Sequence, residues 1–212
     1  MQGQALAPGI IKLKDLNGDG IVNELDRTVI GNANPKFTGG FNNQFSYKGF
    51  DASVFVNFVY GNDVYNANKL EFTSAINPLS NMLGLMNDRY RTIDANGVAI
   101  TDLEVSRSVN QNAQIWQPTR QLFTHSWAIE DGSFLRINNL TLGYSLPKAL
   151  ISRAKLTQLR FYVTTSNLYT FTKYTGYDPE ANTRRATGLT PGVDYAAYPR
   201  SRAFLFGINL AL

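Results

Sequence analysis

The chain has 212 residues, with 20 Lys and Arg against 16 Asp and Glu, a net charge of +4. Its basic residues are scattered with no run of five, so no electrostatic footprint of a nucleic-acid binder is present. The lack of cysteine excludes disulfide frameworks, thiolate metal sites and cysteine nucleophiles. Charged residues make up 17% of the chain, below the ~25% usual for soluble domains, while aromatics reach 12% alongside 17 Gly. That mix favours β-structure with many turns.

The opening "MQGQALAPG" has neither a basic start nor an apolar centre, so it does not read as a signal peptide. No run approaches the ~18 apolar residues of a membrane-spanning helix. Either the protein is cytosolic or Met1 lies inside a longer natural chain. Next comes "DLNGDGIVNELD", which has the spacing of a calcium loop. Asp15, Asn17 and Asp19 hold positions one, three and five, Gly20 takes the sharp turn, Ile21 would lend its backbone carbonyl, and Asp26 closes position twelve. Calcium wants six to eight hard oxygen donors, which alternating carboxylates and amides on a tight turn supply. Asp26 is shorter than the usual Glu, and Asn23 at position nine is a weak ligand or a water bridge. The competing reading is an Asx-rich turn that binds nothing.

Strand patterns follow. In "FTGGFNNQFSY", Phe37, Phe41, Phe45 and Tyr47 share one face with Gly39 and Asn43. Lys48-Gly49 is a two-residue turn. "FDASVFVNFVY" then returns with Phe50, Ala52, Val54, Val56, Phe58 and Tyr60 opposite Asp51, Ser53 and Asn57. The segment "NKLEFTSAINPLSNMLGLMNDRYR" suggests a short surface helix ended or kinked near Pro78. "SFLRINNLTLGYS" changes phase midway, with Leu135 and Ile137 against Leu140, Leu142 and Tyr144, which calls for a bulge near Asn138-Asn139. "LRFYVTTSNLYTF" sets Leu159, Phe161, Val163, Tyr169 and Phe171 against Arg160, Thr164 and Ser166. "RAFLFGINLAL" ends the chain with Phe204, Phe206, Ile208, Leu210 and Leu212 on one side.

Five strands, near 37–47, 50–60, 133–145, 159–171 and 202–212, form a meander if their directions alternate. The connections 48–49 and 146–158 then share one end, and the long stretches 1–36, 61–132 and 172–201 share the other. Short turns at one end and long loops at the other are the pattern of an outer-membrane barrel. Tyr47, Phe50 and Tyr144 would form one interfacial girdle, and Tyr60, Tyr169, Phe171 and Phe204 the other. The fold class expected is therefore all-β, an antiparallel transmembrane β-barrel segment of about five strands with long extracellular loops and short periplasmic turns. Residues 1–36 would be an extracellular loop and 37–212 barrel. A soluble β-sandwich would bury the same alternating residues. Its functional counterpart is a secreted carbohydrate-binding β-module with a structural calcium.

No enzyme is expected. His125 is the lone histidine, and "FTHSW" has no nucleophile elbow. Glu130 and Asp131 are adjacent and point to opposite faces of a strand, which precludes an acid/base pair. No phosphate loop occurs, and Arg184-Arg185 reads as a solvated pair. Trp116, Trp127, Tyr174, Tyr177, Tyr195 and Tyr198 are candidates for stacking on sugars or on a partner, against loop-to-loop packing as the plainer role.

"KLKDLNGDGIVNELDRTVIGNANPKFTGGFNNQFSYKGFDASVFVNF" resembles the C-terminal part of SusC/RagA-type TonB-dependent outer-membrane transporters. So do "WAIEDGSFLRINNLTLGYSLP", "LRFYVTTSNLYTFTKYTGYDPE" and "YPRSRAFLFGINLAL". The likeness runs in the family's order along nearly the whole chain, apart from 61–115. It implies import of oligosaccharides or peptides across the outer membrane of the cell, with a SusD-like surface lipoprotein as partner and energy delivered through the TonB complex. The family's signal peptide, TonB-contacting segment and plug have no counterpart here, and its barrel has more strands, so a C-terminal fragment is expected. Phe206, Gly207, Leu210 and Leu212 fit the family's barrel-assembly signal. Leu205 stands where that signal is usually polar, and the last residue is Leu where an aromatic is usual. By strand parity the calcium-like loop falls on the extracellular side, where ~10⁻⁴–10⁻³ M affinity suffices.

Overall fold

In the computed structural model, residues 7–77, 79–120, 123–183 and 190–212 are described. The expected kink at Pro78 and the pair Arg184-Arg185 lie outside them. The chain divides into two compact units, one of Met1–Ile30 with Asn66–Ala128 and one of Gly31–Tyr65 with Ile129–Leu212.

The second unit is built on five long antiparallel strands: β1 (Phe37–Tyr47), β2 (Phe50–Tyr60), β5 (Phe134–Ser145), β6 (Gln158–Thr172) and β8 (Ala203–Ala211). They pair in the order β1-β2-β5-β6-β8, so each is hydrogen-bonded to the next long strand in sequence and the meander expected from the sequence is formed. Lys48 and Gly49 both have positive φ, 47° and 88°, as the two central residues of a type I′ turn require. Here a left-handed backbone is needed, and a side chain at Gly49 would also strike the Ser145 carbonyl. The expected bulge is present. Pairing of β5 with β2 and with β6 jumps from Ile137 to Asn139, and the Asn138 amide donates to Asn57 Oδ1 at 2.8 Å. On β6 the partners of Ile137 and Asn139 are Tyr169 and Ser166, so residues 167 and 168 bulge out as well, with Asn167 at φ 51°.

Cross-strand pairs share a face, which makes the two sides of the sheet legible. One side carries the rows Tyr47/Phe50/Tyr144/Phe161/Ile208, Phe45/Ala52/Leu142/Val163/Phe206 and Phe41/Val56/Ile137/Tyr169. Phe45, Phe50, Phe161, Phe206 and Ile208 are exposed, Phe206 by 78%. A sandwich would bury these side chains; the open apolar face is that of a barrel wall. Val56 is on this face but only 5% exposed. Two aromatic rows close the face, with Phe50–Tyr144 at 4.4 Å near the short turns and Phe37–Tyr60 at 4.9 Å near the long connections. Phe204 departs from expectation. It pairs Thr165, level with Leu140 and Val54 and not with the upper row, because β8 has nine residues against fifteen in β6 and starts lower.

A second, three-stranded sheet gathers pieces that look like loop in the sequence: β3 (Asp63–Asn66), β4 (Ile129–Asp131) and β7 (Val193–Asp194), in the order β4-β3-β7. Strands this short carry no readable period. Val64 and Asp194 are almost fully buried.

The first unit has little regular structure. Its helices are α1 (Ala67–Glu71), capped by Asn66 accepting from the Lys69 amide at 3.0 Å, and α2 (Leu103–Asn110), capped by Asp102 accepting from the Glu104 and Val105 amides. The helix α1 falls at the start of the segment expected to hold one, and buries Leu70. The connection between β5 and β6 contains α3 (Lys148–Ile151), whose Ile151 is buried while Leu150 is exposed. No helix among the described residues is long and apolar enough to cross a membrane, which leaves crossing by strands open.

Candidate functional site

The calcium-like loop folds as a chain of side chain-to-backbone turns. Asp15 accepts from the Gly18 and Gly20 amides at 2.7 and 2.8 Å, Asn17 from Asp19, and Asp19 from Ile21. Asp26 reaches back across the loop to the Leu16 amide at 2.7 Å and to the Asn23 amide at 2.8 Å. These amides, Asn23 first and then Leu16, hold the Asp26 carboxyl below the ordinary carboxylate range. The Ile21 carbonyl accepts from Asn23 Nδ2 at 3.3 Å. The donor set of Asp15, Asn17, Asp19, Ile21 and Asp26 is all oxygen, the chemistry of a hard cation. Each carboxylate oxygen can accept twice, so the hydrogen bonds leave capacity unused. Among the described residues no three acidic or imidazole side chains converge as a metal cage. A cation here would therefore require the three carboxylates to turn inward together.

The polar side of the sheet carries two arginines that the sequence reading did not single out. Arg160 on β6 grips Asp51 on β2 through two bonds, Nε to Oδ1 at 2.9 Å and Nη2 to Oδ2 at 2.5 Å. The strand between them, β5, has Gly143 at the crossing, and a Cβ there would lie 2.5 Å from the guanidinium and from the carboxylate. On the next residue pair, Tyr162 lays its ring over Gly207, and Arg160 stacks on that ring at 4.9 Å.

Further along β5, Arg136 is almost wholly buried, with its side chain 3% exposed. Its Nη1 donates to Glu180 and its Nη2 to Asp178, each at 2.6 Å, and its Nε donates to Thr170 at 2.9 Å. Arg200 meets the same two acids at 3.1 and 3.7 Å. A polar cavity of about 310 Å³ lies alongside, lined by Arg136, Thr170, Tyr177, Arg200 and Arg202. Tyr174 is buried, and its hydroxyl donates to Asp194 at 2.6 Å. Burial, then the hydrogen bond to Asp194, pushes that phenol far above its ordinary range. The stretch "GYDPE" is thus an electrostatic clasp, its acids six and eight residues past the end of β6.

The candidate aromatics sort by burial. Tyr177 and Tyr198 are exposed and Tyr195 is half-exposed, whereas Tyr174 is committed to Asp194. Trp116 and Trp127 meet edge to face at 4.8 Å, with His125 packed against both and against Phe123. The Lys69 amine stands over Trp127 at 4.2 Å. Burial, then the Lys69 charge, lowers the His125 pKa. A cavity of about 480 Å³ borders this cluster, lined also by Lys12, Lys14 and Tyr90. Glu130 binds Thr175 and Asp131 the Ser133 amide, so the two acids are not paired.

At the end of the chain Phe206 pairs Val163 and Gly207 pairs Tyr162. Leu210 pairs Leu159, and the Leu212 carbonyl accepts from Thr157 Oγ1 at 3.3 Å.

A long-stranded antiparallel sheet with an open apolar face, a hydrogen-bonded polar face and short turns at one end defines a segment of a transmembrane β-barrel wall. No family model matches the chain. It is 34% identical over 207 residues to the TonB-dependent receptor P3 of Formosa agariphila, covering 96% of this chain and 19% of the relative. To the TonB-dependent receptor SusC of Bacteroides thetaiotaomicron it is 28% identical over 197 residues, covering 92% and 17%. Among solved structures it superposes on the RagAB peptide importer in its closed-closed state with a TM-score of 0.66 at 24% identity, covering 97% of this chain and 20% of that one. The chain is a barrel-wall segment homologous to TonB-dependent receptors, SusC among them, and it spans about a fifth of the length of the curated relatives it matches.

Proposed function

We propose that the chain is the C-terminal part of an outer-membrane TonB-dependent transporter that imports oligosaccharides or peptides with a SusD-like lipoprotein as its surface partner. The observation that carries this reading is the five-stranded sheet with an exposed apolar face, in a chain 34% identical to a TonB-dependent receptor along nearly its whole length. The sheet's edges, β1 and β8, leave backbone groups that hydrocarbon does not tolerate unpaired, so each takes a neighbouring strand in the whole barrel. Short turns then face the periplasm, residues 1–36 lie outside the cell, and energy comes through the TonB complex. The import reading draws support from a structural neighbour described as the RagAB peptide importer. Transport requires no chemistry of this chain; its luminal Arg, Asp, Thr and Asn side chains offer a polar path. The test is fractionation of the full-length protein with affinity capture. Recovery in the outer membrane together with a surface lipoprotein, and loss of uptake of one glycan or peptide class on deletion, is the expected outcome. Recovery as a soluble periplasmic protein would sink it.

Within that reading, Phe206, Gly207, Leu210 and Leu212 serve as the barrel-assembly signal. Asp15, Asn17, Asp19, Ile21 and Asp26 hold a structural calcium that braces an extracellular loop. Chelation is then expected to open residues 12–30 to protease while the strands stay protected, and Asp19→Ala to reproduce that pattern with calcium present. Identical cleavage in all three conditions would reduce the loop to Asx turns.

A further inference from the structure

The apolar face of the sheet is not uniformly filled. In the row Phe45/Ala52/Leu142/Val163/Phe206 the β2 position is a small residue between bulky neighbours. The result is a notch of about 550 Å³ with Ala52 at its floor, walled by Phe45 and Tyr47 on one side and Phe161 and Phe206 on the other. Its lining ends at Tyr47, Phe50 and Tyr144, the aromatic row beside the short turns. Those two connections, 48–49 and 146–157, carry Lys48, Lys148, Arg153 and Lys155 and no acidic residue. All four basic residues are exposed, and Lys48 holds its amine 5.2 Å above the Tyr47 ring at the notch's mouth. Asp51, the acid beside the notch, is neutralised by Arg160. An apolar slot on a lipid-facing wall, ending at an aromatic row and a turn region of one charge sign, complements one kind of molecule: an acyl chain joined to an anionic headgroup.

We infer that this notch is a binding site for an anionic phospholipid of the periplasmic leaflet, its acyl chain lying over Ala52 and its phosphodiester held by Lys48 and the basic β5–β6 connection. The inference rests on the barrel reading above. A lipid so placed covers apolar wall that the side chains leave open, and Leu150, exposed on α3, is positioned to enter the same interface. Each basic residue near such a surface strengthens the attraction about fivefold.

The test uses the full-length transporter in nanodiscs of phosphatidylethanolamine, with or without phosphatidylglycerol, then detergent extraction and mass spectrometry of what stays bound. Heat-modifiable mobility reports barrel folding independently, so a failed barrel is told apart from a failed site. The wild type is expected to keep a phospholipid through extraction, enriched in phosphatidylglycerol. Ala52→Phe, which fills the notch, is expected to lose it, and Ala52→Leu serves where the larger ring prevents folding. Lys48→Glu is expected to keep lipid but to lose at least about fivefold of the preference for phosphatidylglycerol, the share of the lost amine alone. Equal lipid retention in wild type and filled-notch variants overturns the inference, as does an unchanged preference in Lys48→Glu. A filled notch that changes the oligomeric state of the full-length transporter without altering bound lipid also overturns it, and makes the notch a protein contact.

Discussion

The barrel-wall sheet and the unit formed by 1–30 and 66–128 are stabilised by different means. In the sheet, backbone ladders run for nine to fifteen residues per strand and side chains only select a face. Among the described residues of the other unit the longest regular element is the eight-residue α2, and the chain is turned by Asp and Asn side chains bonding nearby amides. Asp15, Asp19, Asp26, Asp94 and Asp102 all serve this way. A ladder constrains sequence by period, so it persists while individual residues change. An Asx turn constrains sequence at single positions, so such a unit can be rebuilt residue by residue without disturbing its neighbours.

The sharpest way to break this contrast is at Arg136, where a wall strand is tied by charge to the segment beyond β6. Replacing Arg136 by Met leaves Asp178 and Glu180 with Arg200 alone, at 3.7 and 3.1 Å respectively. Removing one partner of a buried ion pair costs about 3–5 kcal/mol. Urea unfolding of the full-length barrel in lipid is expected to lose about that much, with early proteolysis beyond Thr172. A loss below about 1 kcal/mol would mean the clasp is decorative. Next in size is the difference between the two faces. Leu140→Arg puts a charge on the apolar face near the middle of β5 and is expected to cost about 2–4 kcal/mol. Thr141→Arg, one residue away, gives up only the 2.9 Å bond to Thr164, about 1 kcal/mol. Equal penalties would contradict the assignment of faces.

These elements also mark what the sequence makes legible. All five wall strands are found within a residue or two of their expected limits, because alternation over ten residues leaves little freedom of register. The bulge at Asn138 was readable since it flips the phase of Leu135 and Ile137 against Leu140. Strands β3, β4 and β7 were not, being too short for a period and joined across long stretches of chain. Nor was the Arg136 clasp, since nothing local tells that Asp178 will fold back onto a strand that ended its turn of sequence over thirty residues earlier. Tyr174 shows the limit from the other side: exposed aromatics and a buried one bonded to Asp194 look alike in sequence.

The smallest expected effect separates the two regions by pH. His125 sits half-buried among Trp116, Phe123 and Trp127 with Lys69 near, and both burial and that charge lower its pKa. A base whose pKa is lowered on folding takes up its proton more readily when unfolded, so acid favours opening. Above the ordinary histidine value of about 6.5 both states are neutral and pH has no effect through this group. As pH falls through about 6.5 the open form gains a proton that the folded form refuses, and protection declines until the folded pKa is reached. Hydrogen exchange at residues 123–128 of the full-length protein is therefore expected to quicken as pH falls below that value, after correction for intrinsic rates. The ladder amides of β5 and β6 outside this cluster stay unchanged. His125→Phe keeps the ring packing and removes the proton, so its exchange is expected to be flat over the same range. A slope over this range that survives in His125→Phe would overturn the assignment to His125, because Asp26 and Asp94, whose pKa values are also lowered, lose their contribution only below the ordinary carboxylate value.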